Sequence, residues 1–242
     1  MTPPGIPVYA LAGIKHRYGR RIVLDLPALE VARGETLGVI GPSGAGKSTL
    51  LRLLQLIERP TEGTIRVDGT DVALPARAEQ IRRITTVFQR PIMLDRTVRD
   101  NVAFGLRIRG RRDDELVERL LERISLSRLA GAPARSLSGG EVQRVALARA
   151  VATGSDVLLL DEPAANLDPG NVALVESLIR EQQEAGRTIV LVTHNTHEAR
   201  RLADRTLLLL EGRPVEVGPT AGLFEAPQDS RTRGFLAGEL IY

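Results

Sequence analysis

The chain has no cysteine and no tryptophan, and only 3% of its residues are aromatic. Without cysteine it can form neither disulfides nor thiolate metal sites. So few aromatic rings speak against a stacking platform for single-stranded bases. No apolar run approaches the roughly 18 residues that a bilayer span requires. The N-terminal stretch lacks the charged-then-apolar pattern of a signal peptide. A cytosolic location is the expectation from these absences. An excess of one charge is also missing. The formal net charge is +3 over 242 residues and is spread along the sequence, without the basic stripe that nucleic acid demands. Repeats and low-complexity segments are absent. Lysine is nearly absent too: of 33 lysines and arginines, only Lys15 and Lys47 are lysine.

What is present gathers around Lys47. Gly41-Pro42-Ser43-Gly44-Ala45-Gly46-Lys47-Ser48-Thr49 matches G-x-x-x-x-G-K-[ST], a loop that cradles phosphates. Thr36–Ile40 before it is a short apolar run suited to a buried strand. Leu50-Leu51-Arg52-Leu53-Leu54 after it reads as helix. Strand, loop and helix are the setting the mechanism needs. Gly41, Gly44 and Gly46 let successive N–H groups converge on a phosphate, and the helix start adds its positive dipole end. Lys47 can reach the β- and γ-phosphates, and the Ser48 hydroxyl can ligate Mg²⁺. A lysine suits this place because it is a compact point charge on a flexible stem, where arginine is a planar fork.

The first part of the chain reads as short strands, at Val8–Ala12, Arg21–Leu26, Thr36–Ile40 and Thr64–Val67, with turns at Arg33-Gly34 and Asp68-Gly69. Thr85–Phe88 is a further strand. Between Val98 and Leu129 the pattern becomes helical, most clearly from Asp114 to Ile124, where apolar residues recur at three- and four-residue spacing. Gly131-Ala132-Pro133 is expected to break that run. Strands and helices then alternate through Val157–Leu160, Asn171–Glu184, Thr188–Val192, Thr196–Ala203 and Thr206–Leu210. Such alternation predicts an α/β fold, a parallel sheet with helices on its faces, from which the helical middle hangs as a subdomain.

Two further motifs carry chemistry. In Asp156-Val157-Leu158-Leu159-Leu160-Asp161-Glu162-Pro163, a buried strand ends in two carboxylates. Ligands of open α/β sheets bind at that end of the strands. Asp161 is placed to hold Mg²⁺ through water or Ser48, and Glu162 is free to polarise an attacking water as general base. Leu137-Ser138-Gly139-Gly140-Glu141 leads into Val142-Gln143-Arg144-Val145-Ala146-Leu147-Ala148-Arg149-Ala150, a strong helix former. This is a second glycine-rich helix start and so a second anion site.

LSGGE followed by this helix closely resembles the signature of ABC-type ATPases, and the resemblance runs from about Tyr9 to about Gly218. It implies a single nucleotide-binding domain over 1–242. The fold would be a P-loop NTPase core with a mainly parallel sheet, an N-terminal antiparallel β subdomain and a helical signature subdomain at about 90–152. A short tail would follow at about 219–242. It further implies that Gln89, in Val87-Phe88-Gln89-Arg90, senses Mg²⁺ and the γ-phosphate. His194, after Val192-Thr193, resembles the switch histidine, and Asn166-Leu167-Asp168 the D-loop. Tyr18 resembles the aromatic that stacks on adenine. Ala164 and Ala165 depart from the family, which often has hydroxyl residues there. The order and spacing of these residues, rather than any one of them, carry the likeness.

In such ATPases two ATPs are sandwiched between two domains arranged head to tail, so Ser138, Gly139 and Gly140 are expected to complete the γ-phosphate site of a second copy. With one copy of each motif, a homodimer is the simplest assembly. ATP and Mg²⁺ are the expected cofactors. The expected partners are a membrane permease, met through Arg90–Leu94 and Thr97–Val102, and an extracytoplasmic solute-binding protein. Nucleic acid is not an expected partner. The expected place is the cytoplasmic face of the cell membrane, as a peripheral subunit. The segments FQRPIML, TVRDNVAFGLRIRG and THNTHEARRLADR resemble the ATPases of tungstate-type oxyanion importers. Importers of phosphate or polar amino acids, and export or mechanotransmission ATPases, are the alternatives. The stretch after Gly218 is too short for the regulatory domain some molybdate or methionine importers carry, so control by solute binding is not expected.

Overall fold

The computed structural model describes residues 5–239, so the last three residues of the expected tail lie outside it. The strands β1 (Tyr9–Tyr18) and β2 (Arg21–Val31) form an antiparallel hairpin, and β3 (Thr36–Ile40) then leaves for a second sheet. The helix α1 (Lys47–Leu54) follows it. The strands β4 (Glu62–Val67) and β5 (Thr70–Asp71) return to the first sheet, giving the order β2-β1-β4-β5. After α2 (Ala78–Arg82) and β6 (Ile84–Val87) come three helices: α3 (Val98–Arg107), α4 (Asp114–Arg123) and α5 (Gly139–Ala152). The remainder alternates as β7 (Val157–Asp161), α6 (Pro169–Glu184), β8 (Thr188–Val192), α7 (Thr196–Leu202) and β9 (Arg205–Leu210). It closes with β10 (Arg213–Pro219), α8 (Thr220–Glu225) and α9 (Ser230–Leu236). The second sheet runs β10-β9-β3-β8-β7-β6, parallel throughout except for β10.

The inner parallel strands β3, β7, β8 and β9 are buried almost throughout, without alternation, because both their faces are covered, whereas the edge strand β6 is only partly buried. In β7, Leu158 and Leu160 turn toward the helical side, where they join Val102, Leu121, Val145 and Leu147. Val157 and Leu159 turn the other way, toward α1 and the first sheet, joining Leu50, Leu53, Leu24 and Leu26. Each leucine buried this way stabilises the fold by roughly 1.5–3 kcal/mol. One sheet therefore divides two cores, and α3, α4 and α5 share one of them.

Helix starts are set by side chains that accept from otherwise orphaned N–H groups. Thr97, Asp113, Ser138, Asp168 and Asn195 do this for α3, α4, α5, α6 and α7. Some boundaries differ from those the sequence predicts. β1 and β2 run on to Tyr18 and Val31. The helical run breaks earlier than Gly131, where Ser125 takes a left-handed φ of 57°. The strand β10 and the helices α8 and α9 also fall outside the expected elements.

Candidate active site

The register of the parallel sheet brings the expected residues to one edge. Val39 of β3 pairs with Val192 of β8, and Val192 pairs with Asp161 of β7. The phosphate loop, Glu162 and His194 therefore leave neighbouring strands at the same level. Val87 of β6 pairs with Leu160, which delivers Gln89 to the same edge. These loops enclose a cavity of about 520 Å³ lined by Ser43–Thr49, Gln89, Asp161, Glu162 and His194.

The loop is held close to its sheet by backbone contacts that a side chain would obstruct. Gly41 has φ 151°, and a Cβ on it would lie 2.2 Å from the Leu209 carbonyl oxygen. Gly46 has φ 99°, and its Cβ would lie 2.7 Å from the Val23 oxygen. The turn after β9 pins the loop, since Gly212 N–H donates to the Ala45 oxygen at 3.0 Å and Gly212 in turn accepts from Asp25 at 2.7 Å. No side chain caps α1, so its first N–H groups face the cavity. Lys47 Nζ donates to the carbonyls of Gly41 at 2.7 Å and Pro42 at 2.9 Å. Burial holds its pKa below the usual lysine value, and Glu162 and Asp161 oppose that shift.

Burial and the neighbouring Glu162 push the Asp161 carboxyl above its ordinary range; Lys47, Arg52 and the Ser48 hydroxyl pull it back. Glu162 is buried and has a left-handed φ of 51°, a strained backbone for a non-glycine residue and of the kind that gathers at functional sites. Its backbone N–H donates to the Val192 oxygen at 2.8 Å. One carboxylate oxygen accepts from the His194 backbone N–H at 3.0 Å, and the other lies 2.6 Å from His194 Nδ1. The His194 side chain is 62% exposed, so its ring reaches out from a fixed base.

Other expected residues lie elsewhere. Tyr18 does not line the cavity; its hydroxyl donates to Glu58 at 3.1 Å and accepts from Arg52 at 3.0 Å, while its ring meets His16 edge-on. Ser138, Gly139, Gly140 and Asp168 are also outside it, at the starts of α5 and α6. Ser138-Gly139-Gly140-Glu141 forms a capping box, in which Ser138 N–H and Oγ both donate to the Glu141 carboxylate at 2.8 Å. These bonds hold the Glu141 carboxyl below its usual range. Arg21, Val23 and Arg52 line the cavity without having been expected there. Arg52 had a signal in the sequence: it stands four residues after Ser48, on the same helix face.

The donor set fits a hard cation that keeps water and phosphate oxygens as ligands. It offers a hydroxyl, a carboxylate and an amide, and among the described residues no group of three acidic or histidine side chains could cage a metal alone. A phosphate-gripping loop beside a carboxylate pair at the carboxyl edge of a parallel sheet defines a P-loop ATPase. The chain is further matched by the family model described as ABC transporter, over residues 24–165. It is 45% identical to a phosphate import ATP-binding protein, PstB 2, of Natronomonas pharaonis, covering 96% of this chain and 87% of that one. It is 43% identical to a probable anion import ATP-binding protein of Haloferax volcanii, covering 96% and 88%. A methionine import ATP-binding protein, MetN, of Rhizobium etli is 41% identical over 96% of this chain and 66% of its own length. A bacterial Atm1-family ABC exporter with ATP bound superposes with a TM-score of 0.85 at 27% identity, over 100% of this chain and 44% of that one. The chain belongs to the ABC transporter family and is its ATP-hydrolysing domain.

Proposed function

We propose that this chain is the ATPase subunit of an importer for a small oxyanion of the tungstate or phosphate kind. The observation that carries the ATPase half is the Glu162–His194 pair facing Lys47 across one cavity. The likeness to phosphate and anion import proteins supports the oxyanion half. The loop from Gly41 to Thr49 would grip the phosphates, with Lys47 turning from its own loop carbonyls to the β- and γ-oxygens. Ser48, Asp161 and Gln89 would hold Mg²⁺, which would neutralise charge on the phosphates when bound. Glu162 would take a proton from the attacking water, and His194 would fix that carboxylate and sense the γ-phosphate. Tyr18 would stack on adenine at the rim, its ring steadied by Arg52 and Glu58. Ser138, Gly139, Gly140 and Asp168 would serve the site of a second copy, in keeping with their absence from the lining of their own cavity.

The working unit would be a homodimer seated on a permease at the cytoplasmic face of the membrane, with a solute-binding protein outside. No helix among the described residues is long and apolar enough to cross a membrane. An apolar groove of about 420 Å³ beside α3, with Phe88, Ile92, Phe104 and Ile108 in its lining, supports the permease contact. The whole chain is read as one nucleotide-binding domain.

Glu162→Gln tests the chemistry. ATP binding should persist while hydrolysis falls by about 10²–10⁴-fold, the range a general base contributes; equal steady-state rates would refute the assignment. The same variant, held with Mg-ATP and drawn from native membranes, should bring a multi-span permease encoded beside an oxyanion-binding protein. A permease with large external domains, or one paired with a methionine-binding protein, would overturn the oxyanion reading and leave the chemistry standing.

A further inference from the structure

Two glycines open α5, and they are bare for different reasons. A Cβ on Gly139 would meet nothing within 4 Å. A Cβ on Gly140 would lie 2.9 Å from Asn171 Nδ2 and 3.1 Å from Asn171 Cγ. Asn171 stands in the first turn of α6, three residues after the Asp168 cap. Its backbone N–H donates to Asp168 Oδ1 at 3.1 Å, and its Nδ2 donates to Asp168 Oδ2. The Asp168 carboxylate fixes which way the amide points, because the reverse orientation would set two acceptors face to face. Asn171 Oδ1 is then left buried without a hydrogen-bond partner. One asparagine therefore touches the turn of Ser138–Gly140 and the turn of Asp168 together.

We propose that Asn171 is a positioning residue that clamps the signature turn to the Asp168 turn, so that both meet a nucleotide on a second copy as one body. The proposal rests on the reading that these turns serve the partner copy's site. It gives Gly140 a role inside its own chain: the residue is glycine because Asn171 occupies the space of its side chain. A methyl there would meet the amide at 2.9 Å, so that the amide or the signature turn itself must shift.

A double-mutant cycle in the full-length protein tests this. Gly140→Ala, Asn171→Ala and the double variant are compared in kcat, KM for ATP and melting temperature, in the assembly that hydrolyses ATP. Gly140→Ala should lower kcat by about tenfold or more with KM for ATP little changed, because the clamp holds a part of the site that ATP binding to one subunit does not use. Asn171→Ala should cost less, about two- to fivefold in kcat. Combining them should restore kcat to the Asn171→Ala level, since the methyl then has room. Losses in kcat that multiply would overturn the proposal and leave Gly140 as a point of close approach to phosphate. Rescue of melting temperature without rescue of kcat would also overturn it, by reducing the contact to ordinary packing. Ser138→Arg separates the underlying reading: full hydrolysis by that variant would remove the cross-copy site itself and the clamp's purpose with it.

Discussion

Glu198 is a buried carboxyl that the proposed chemistry does not use. It lies in the first turn of α7, four residues after His194, and one of its oxygens has no hydrogen-bond partner. Burial pushes its pKa to about 7 from 4.5; Glu162 and Glu176 add to the rise, while the Thr193 hydroxyl and Arg201 oppose it. Between these two pH values the folded chain keeps a proton that the unfolded chain has released. Stability therefore falls as pH rises through that window, by up to about 3 kcal/mol. Glu198→Gln should remove this fall and be the more stable protein at pH 8, with little difference near pH 5. Urea unfolding of both proteins at four pH values measures it, and parallel pH profiles would reject the role. Residues of this kind are illegible in a sequence, because nothing in Thr-His-Glu-Ala tells which carboxylate will lose its water.

At the scale of elements, the phosphate loop depends on its strand. Gly41→Ala places a methyl against the Leu209 carbonyl of β9 in a backbone region that side chains avoid. The loop must lift from the sheet. We expect a destabilisation of at least about 1–3 kcal/mol and a clear loss of ATP affinity, read by thermal melting and nucleotide titration. Unchanged values in both would show that the loop does not need this seat. This loop, the carboxylates after β7 and the signature turn were legible because their chemistry fixes residue types at fixed spacing. The edges of the fold were less so. The sequence reading of β2 ends at Leu26, before Pro27, yet the strand continues to Val31. β2 lies at the edge of its sheet, where a missing N–H costs no ladder bond. The reading of β1 ends at Ala12 because Gly13 follows, with a left-handed φ of 60°, and the pairing with β4 shifts register between Ala12 and Lys15. The stop at Ser125 was missed because a serine, rather than a glycine, takes the left-handed turn.

At the scale of the whole molecule, the residues expected at the site fall into two groups. The cavity holds the phosphate loop and the base, while Ser138–Gly140 and Asp168 stand outside its lining. If a second copy supplies them, Ser138→Arg should leave ATP binding to one subunit intact and reduce hydrolysis by about 10²–10³-fold, the usual loss when a donor to developing charge is removed. Equilibrium ATP binding and steady-state turnover on the same preparation decide it. Weakened binding in the isolated subunit would mean that the turn acts within its own chain.

The scarcity of lysine gives this protein a chemical handle. Lys15 has a half-exposed side chain near Glu62 at 3.5 Å, whereas Lys47 is buried at the nucleotide cavity with its pKa held down. An amine-selective acylating reagent therefore meets two very different lysines, and mass spectrometry can follow each on its own peptide. Acylation of Lys15 should proceed at the same rate with or without nucleotide, while that of Lys47 should stop when ATP occupies the loop. The ratio of the two labels would report nucleotide occupancy inside an intact membrane assembly, with no engineered probe.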